Sequence, residues 1–460
     1  MAKAKKEKTQ YVCSACGASA PRWMGKCGTC QEWNTLEEQV GTTSKKAVER
    51  TGGTSGGAAR IGDVSTADAA RLPTGIGELD RALGGGPVAG GVVLLGGDPG
   101  IGKSTLLMQA LSALAGRGKR ALYVSGEESA SQIALRARRL GCEGADDVRV
   151  LATTELEDAE TAIGKERPHV CVVDSVQTLG ARQLSSSPGS VTQIREVASR
   201  LIDLAKRQGM ALFLIGHVTK DGAIAGPKVL EHLVDTVLAF EGDRSHAFRL
   251  VRATKNRFGP AQEVGVFEMQ REGLIEVPDP SALFLAERPK ATAGSIVVPT
   301  AEGSRPLLVE LQALVAPCAY GSPRRVVTGL DGNRLAILLA VLDRRSRVRV
   351  LDRDVFASIT GGARVDERAL DLALAVAVVS SLKDVAVPVD VAVFGEVGLA
   401  GEVRAVPRPG PRVMEAKKLG FRRLIMPYAN AQQLSDSERE GAEISAVRTL
   451  EEALDATLAV

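Results

Sequence analysis

Gly97, Asp98, Pro99, Gly100, Ile101, Gly102, Lys103 and Ser104 follow the apolar run Gly91–Leu95, and Thr105 leads on into Leu106–Leu111, which reads as helix. A strand, a glycine-rich turn and a helix N-terminus in that order make a phosphate-binding loop. The glycines let successive backbone N–H groups point at phosphate oxygens. Lys103 would reach the β- and γ-phosphates, and the Ser104 hydroxyl would ligate Mg²⁺. The chemistry predicted is the binding of a nucleoside triphosphate.

Hydrolysis needs more groups, and the chain offers them at strand ends. His169–Val173 is an apolar strand that runs into Asp174, the form of a Walker B element, where Asp174 would hold the water shell of Mg²⁺. Tyr123-Val-Ser-Gly-Glu127-Glu128 closes the strand after the first helix. A carboxylate there orients and deprotonates the attacking water, with Glu127 the first choice and Glu128 the reserve. Leu212–Gly216 leads to His217, placed to sense the γ-phosphate from the same sheet edge. The glycine-rich stretch Thr219–Lys228 carries Lys220 and Lys228, suited to holding a phosphate backbone without reading bases. Lys255 and Arg257 share a face at i and i+2 on extended chain. Two such cations suit a γ-phosphate, supplied across a subunit boundary as a finger, and they equally suit a grip on DNA.

A second constellation is Cys13-x-x-Cys16 and Cys27-x-x-Cys30, separated by ten residues. Two such knuckles give the tetrahedral sulfur site that Zn²⁺ prefers, with no open position for catalysis. An iron centre or free thiols are the alternatives. Four of the seven cysteines sit in this cluster, which argues for metal over disulfides.

Around these residues the chain divides into a basic tail and zinc module (1–40), a Gly/Thr/Ser-rich linker (41–60), an α/β core (61–277) and a C-terminal region (278–460) opening at Pro278-Asp-Pro280. Core strands are predicted at Val92–Leu95, Ala121–Ser125, Val148–Ala152, His169–Val173, Ala211–Ile215, Thr236–Phe240, Phe248–Thr254 and Glu263–Met269. Helical stretches alternate with them, the signature of a mostly parallel sheet. The C-terminal region mixes strands (Ser295–Pro299, Leu307–Ala316, Val389–Gly395) with buried helices (Arg334–Asp343, Ala369–Leu382).

At 460 residues, two or three domains are the natural expectation. A net charge of +3 does not announce a nucleic-acid binder, although Lys3, Lys5, Lys6 and Lys8 form a local basic run. The lysines lead into Cys13 without an apolar signal segment, and no stretch is long enough to span a membrane. A soluble, cytoplasmic, nucleoid-associated protein is expected.

These pieces in this order resemble the bacterial RadA (Sms) DNA-repair family across essentially the whole chain. The likeness rests on Tyr11–Gly17, Trp33–Leu36, Thr74–Asp80, the phosphate loop, Gly216–Lys220 and Lys255-Asn-Arg-Phe-Gly259. It implies a zinc motif, a RecA-like ATPase core and an α+β domain similar to the Lon protease domain. It also implies homo-hexameric rings on single-stranded and branched DNA that promote branch migration beside a RecA-type recombinase. By that resemblance Lys103, Glu127 and Asp174 serve ATP hydrolysis, while Lys255 and Arg257 couple ATP to DNA. A RecA-like signalling ATPase or autokinase of the circadian-clock type shares the core and is the alternative. Lon-type proteolysis is not expected: Ala369 stands at the nucleophile position and Gly410 at that of the lysine, and neither can do that chemistry.

Overall fold

A computed structural model describes residues 9–13, 19–28, 31–33, 35–40, 70–217, 229–242, 248–289, 292–303, 305–318, 321–362 and 364–458. The zinc module forms β1 (Thr9–Cys13), β2 (Ser19–Ala20) and β3 (Leu36–Val40), with β1 antiparallel to both others. Its small core is Cys13, Ala20, Cys27 and Leu36, with Tyr11 packed against it.

The core follows as α1 (Gly77–Leu83), β4 (Val92–Gly97), α2 (Lys103–Ala115), β5 (Ala121–Ser125), α3 (Ala130–Leu140), β6 (Arg149–Ala152), α4 (Leu156–Glu166), β7 (Val170–Asp174), α5 (Val191–Gln208), β8 (Ala211–His217), α6 (Val229–Leu233), β9 (Thr236–Glu241), β10 (Phe248–Asn256), β11 (Val264–Gln270) and β12 (Gly273–Glu276). Among the described residues these strands make one sheet in the order β12-β11-β10-β9-β4-β8-β7-β5-β6. Strands β9, β4, β8, β7, β5 and β6 run parallel. Every residue of β4, β5 and β7 is buried, as strands covered on both faces must be. Helix α5 shows how the cover is made. Ile194, Val197, Ala198, Leu201, Ile202 and Ala205 repeat at helical spacing on its buried side, and Ser190 caps its start by accepting from Gln193 N.

The C-terminal elements include α7 (Pro280–Phe284), β13 (Ser295–Glu302), β14 (Arg305–Pro317), β15 (Arg325–Thr328), α8 (Gly332–Arg345), β16 (Arg353–Ile359), α9 (Leu370–Lys383), β17 (Val391–Val393), β18 (Glu396–Val397), β19 (Val403–Arg404), α10 (Pro409–Lys418), β20 (Arg423–Pro427) and β21 (Glu443–Val447). Seven of these strands form a mixed sheet, β15-β16-β14-β13-β17-β20-β21. Helix α9 is buried at every position from Leu370 to Ser380 and forms the centre of this domain's core. Strand β17 is shorter than its apolar run because Val391 N bonds back to Pro388 O in a turn. Strands β16, β20 and β21 carry weak sequence signals, since each opens on a charged residue, Arg353, Arg423 or Glu443.

Contacts group Met1–Glu241, Val251–Ala261 and Met269–Glu276 as one compact unit, and Gly242–Leu250, Gln262–Glu268 and Val277–Val460 as a second.

Candidate active site

The phosphate loop leaves the carboxyl end of β4 and enters α2 through Gly102, whose φ of 119° suits glycine alone. A Cβ there would stand 2.7 Å from Met269 Cε, where the flexible methionine could give way, whereas one on Gly97 would stand 2.7 Å from the backbone Phe240 O, which excludes a side chain. Asp98, Pro99 and Gly100 form the exposed crown, Ile101 is buried, and Ser104 and Thr105 lie half-buried in the first turn of α2. Lys103 is buried and curls back over the loop, its Nζ donating to Gly97 O at 2.6 Å and Asp98 O at 2.9 Å. Burial pushes the Lys103 amine below its ordinary range, against the pull of Asp174, Glu127 and Asp98. Those three carboxylates keep a cation favourable there. This donor set, backbone N–H groups with a buried amine and a hydroxyl, fits a nucleotide phosphate with Mg²⁺.

The parallel pairing of β5 with β7 sets Ser125 abreast of Asp174 and brings both strand ends to the loop. Asp174 is buried, and its Oδ2 accepts a 2.5 Å hydrogen bond from the Tyr123 hydroxyl. Burial, then the charge of Asp174, holds that phenol protonated, and the Ser104 hydroxyl lies in hydrogen-bonding contact with it. From α3, Arg136 donates to Tyr123 Oη at 3.0 Å and pairs with Glu128 at 2.8 Å. Glu127 is held differently: Ser175 Oγ donates to its Oε1 at 2.6 Å. Ser125 Oγ accepts from both Glu127 N (3.3 Å) and Glu128 N (2.9 Å), which fixes the turn that carries the two glutamates. The structure thus brings Lys103, Ser104, Glu127 and Asp174 together. It adds Tyr123, Ser125, Arg136 and Ser175, which sequence reasoning missed. Two signals were present: Tyr123 and Ser125 alternate onto one face of β5, and Ser175 directly follows Asp174.

His217 pairs in register with Gly97, so its backbone lies beside the first residue of the loop. Lys220 and Lys228 lie outside the described residues. Lys255 and Arg257 do share a side, but it is not that of their own phosphate loop. Lys255 Nζ donates to Glu231 O (2.6 Å) and Val234 O (2.8 Å), at the end of α6. Burial and the neighbouring Arg257 lower its basicity. Arg257 pairs with Asp235 at 3.0 Å and stays 53% exposed. Asp235 in turn accepts from Val92 N, at the amino end of β4. Gly97 is five residues further on, about 17 Å along an extended strand. The two cations therefore occupy the amino edge of β4, while the loop occupies the carboxyl edge.

Thr74–Asp80 is structural. Asp80 accepts from Thr74 N and Oγ1, both at 2.8 Å, and from Gly75 N at 3.0 Å, tying the turn before α1. In the zinc module, Cys13 and Cys27 are buried in one small core, a fit for two ligands of a thiolate metal site. Cys16 and Cys30 lie outside the described residues.

In the second unit Ala369 is the buried N-cap of α9, its carbonyl accepting from Gly395 N. Gly410 lies in α10, where a Cβ would stand 1.8 Å from Glu438 Oε1, so a side chain there would have to displace the Glu438 carboxylate. The buried cation nearby is Arg412, which pairs with Glu367 and donates to Pro299 O at 2.8 Å.

Residues 59–223 match a family model described as an AAA domain, residues 11–38 one described as a rubredoxin metal binding domain, and residues 360–430 one described as subunit ChlI of Mg-chelatase. The DNA repair protein RadA of Pseudomonas aeruginosa is 51% identical over 459 residues, 99% of each chain. The proteins of that name from Bacillus subtilis and Escherichia coli are 45% and 48% identical, each over 98% of this chain and 99% and 98% of their own. The chain belongs to the RadA DNA repair protein family. The RadA architecture of zinc ribbon, P-loop core with a mostly parallel sheet and Lon-like C-terminal domain accounts for the three regions. Among the described residues no helix is long and apolar enough to cross a membrane.

Proposed function

We propose that this RadA-family chain is a DNA-repair ATPase that works as a homo-hexameric ring on single-stranded DNA. In this reading it promotes branch migration of recombination intermediates alongside a RecA-type recombinase. The AAA-domain match and the relatives' name, DNA repair protein RadA, support the coarse part of that reading. The loop backbone from Gly97 to Thr105 cradles the phosphates, and Lys103 meets the β- and γ-oxygens. Mg²⁺, when bound, neutralises charge on the phosphates, with Ser104 and Asp174 as the residues that hold it. Glu127, held by Ser175, orients the attacking water and takes its proton, and His217 reports the state of the γ-phosphate. Cys13, Cys16, Cys27 and Cys30 hold a structural zinc. Lys220 and Lys228 follow the DNA backbone.

One observation carries the ring: Arg257 is exposed at the amino edge of β4, whereas the loop opens at the carboxyl edge. A head-to-tail assembly joins those two edges from successive subunits, so that Lys255 and Arg257 of one chain complete the site of the next. The test is branch migration on a synthetic junction with ATP and with a non-hydrolysable analogue. Migration with ATP alone supports the motor, and equal migration with both overturns it. Phosphorylated protein without DNA stimulation would instead favour the clock-type autokinase.

A further inference from the structure

The chain has two tryptophans in 460 residues, and both stand on the zinc module. Trp23 is 55% exposed and Trp33 68%. Indoles are large apolar groups that ordinarily lie mostly buried. The module's core is Cys13, Ala20, Cys27 and Leu36 with Tyr11, so neither indole is part of it. The two rings flank the same residue: a Cβ on Gly25 would stand 3.7 Å from Trp33 and 3.8 Å from Trp23. Met24 is exposed beside them.

Cations interleave with these rings. Lys26 Nζ lies 5.6 Å from the centre of the Trp33 ring, and Arg22 is exposed next to Trp23. Glu32 is the exposed acid on the same turn. The mounting is braced, because Lys26 and Trp33 form an antiparallel bridge. Within it Cys27 N donates to Glu32 O at 2.9 Å, and Gln31 N donates to Cys27 O at 3.0 Å. Two indole faces flanking Gly25, one of them mounted beside a tight turn, with positive charge alongside, offer π-surface to unstacked bases and complementary charge to the phosphates between them.

We propose that Trp23 and Trp33, with Arg22 and Lys26, form a stacking platform for the unpaired bases of single-stranded DNA, separate from the ATPase core. Every base has a π-face, so the platform grips without reading sequence. Duplex DNA keeps its bases stacked and does not satisfy it. The choice of DNA as the nucleic acid rests on the function proposed above.

Because the chain has no other tryptophan, indole fluorescence reports this surface alone. The full-length protein is titrated with oligo-dT, with an abasic oligonucleotide of equal length and with a duplex. Quenching by oligo-dT only is expected. Trp23→Ala and Trp33→Ala should each lose about tenfold in oligo-dT affinity, read by anisotropy, with zinc content and ATP affinity unchanged. Equal quenching by the abasic strand would overturn stacking. Tight oligo-dT binding without quenching, unchanged in both variants, would overturn the platform and leave the DNA-repair motor standing. No binding of single-stranded DNA at all would sink both. Should the alanine variants lose zinc, Trp23→Leu and Trp33→Leu decide, since leucine keeps apolar bulk without a π-face. A tenfold loss with zinc retained then supports the platform, and unchanged affinity overturns it.

Discussion

The Tyr123 hydroxyl donates a 2.5 Å hydrogen bond to Oδ2 of Asp174, and through it the residue that ends β7 is tied to Arg136 on α3. Tyr123→Phe removes the donor to a buried carboxylate and strips Arg136 of an acceptor. A hydrogen bond to a charged group contributes about 1.5–3 kcal/mol. If it is needed to aim Asp174, ATP turnover should fall roughly ten- to a hundredfold. The Mg²⁺ concentration for half-maximal activity should rise. ATPase rates across a Mg²⁺ titration check this, and an unchanged curve would mean the backbone alone orients Asp174.

Glu127 and Glu128 are adjacent, yet their surroundings separate them. Glu127 accepts from Ser175 beside Asp174, whereas Glu128 is engaged by Arg136. Glu127→Gln should keep ATP affinity and lose about 10²–10⁴-fold in turnover, the usual contribution of a general base. Glu128→Gln gives up one partly exposed ion pair, about 0–1 kcal/mol, and should stay within a few-fold of the parent. Nucleotide-binding and single-turnover measurements on both variants decide; the reverse ranking would transfer the base to Glu128.

What the sequence disclosed about this site was the part encoded locally. Glycine, lysine and serine spacing between a strand and a helix defines the phosphate loop, and acids at strand ends declare themselves one segment at a time. Tyr123 and Arg136 matter only because β5 lies next to β7 and α3 returns over that edge, which is information about neighbours. The same holds for Lys255 and Arg257. Their spacing puts them on one side, but which edge of β4 they occupy depends on the order β10-β9-β4. The fold class was legible from alternating apolar runs, whereas β16, β20 and β21 owe their pairing to tertiary context more than to their own composition.

Arg257 lies at the far end of β4 from its own loop, so its removal should be felt by a neighbour. In the proposed ring, mixing Arg257→Ala chains with Lys103→Ala chains would leave some interfaces with both parts intact. Such rings should recover part of the ATPase activity that each variant lacks alone. Activity at the plain sum of the two pure variants, with DNA affinity lowered by Arg257→Ala, would assign Arg257 to DNA and not to the γ-phosphate.

Cys27 is buried beside Cys13, and its backbone bonds to Gln31 N and Glu32 O. With so small a core, a bound metal would supply most of the module's folding free energy. Cys27→Ser should release the zinc and open residues 9–40 to protease, while α1 to β12 stay resistant. Metal analysis with limited proteolysis reads both, and a full zinc complement in the variant would refute the four-cysteine site.

In the Lon-like domain an ion pair built on a buried arginine occupies the region where catalysis would otherwise be sought. Arg412 is fully buried, pairs with Glu367, and donates to Pro299 O at 2.8 Å and Pro407 O at 3.1 Å. Its guanidinium lies 5.7 Å from the centre of the Phe394 ring. Glu367 also accepts from Ala301 N at 3.1 Å, so the pair links β13 to α10 and to the start of α9. Arg412→Ala takes the cation from a half-buried carboxylate, which keeps only Ala301 N, and the donor from two carbonyls, a loss of up to about 3–5 kcal/mol. Arg412→Met with Glu367→Gln removes both charges, retains volume, and keeps an acceptor for Ala301. It should therefore be markedly more stable than Arg412→Ala. Thermal unfolding of the three proteins tests the order, and equal loss in both variants would show that packing, not the pairing of charge, is what Arg412 contributes.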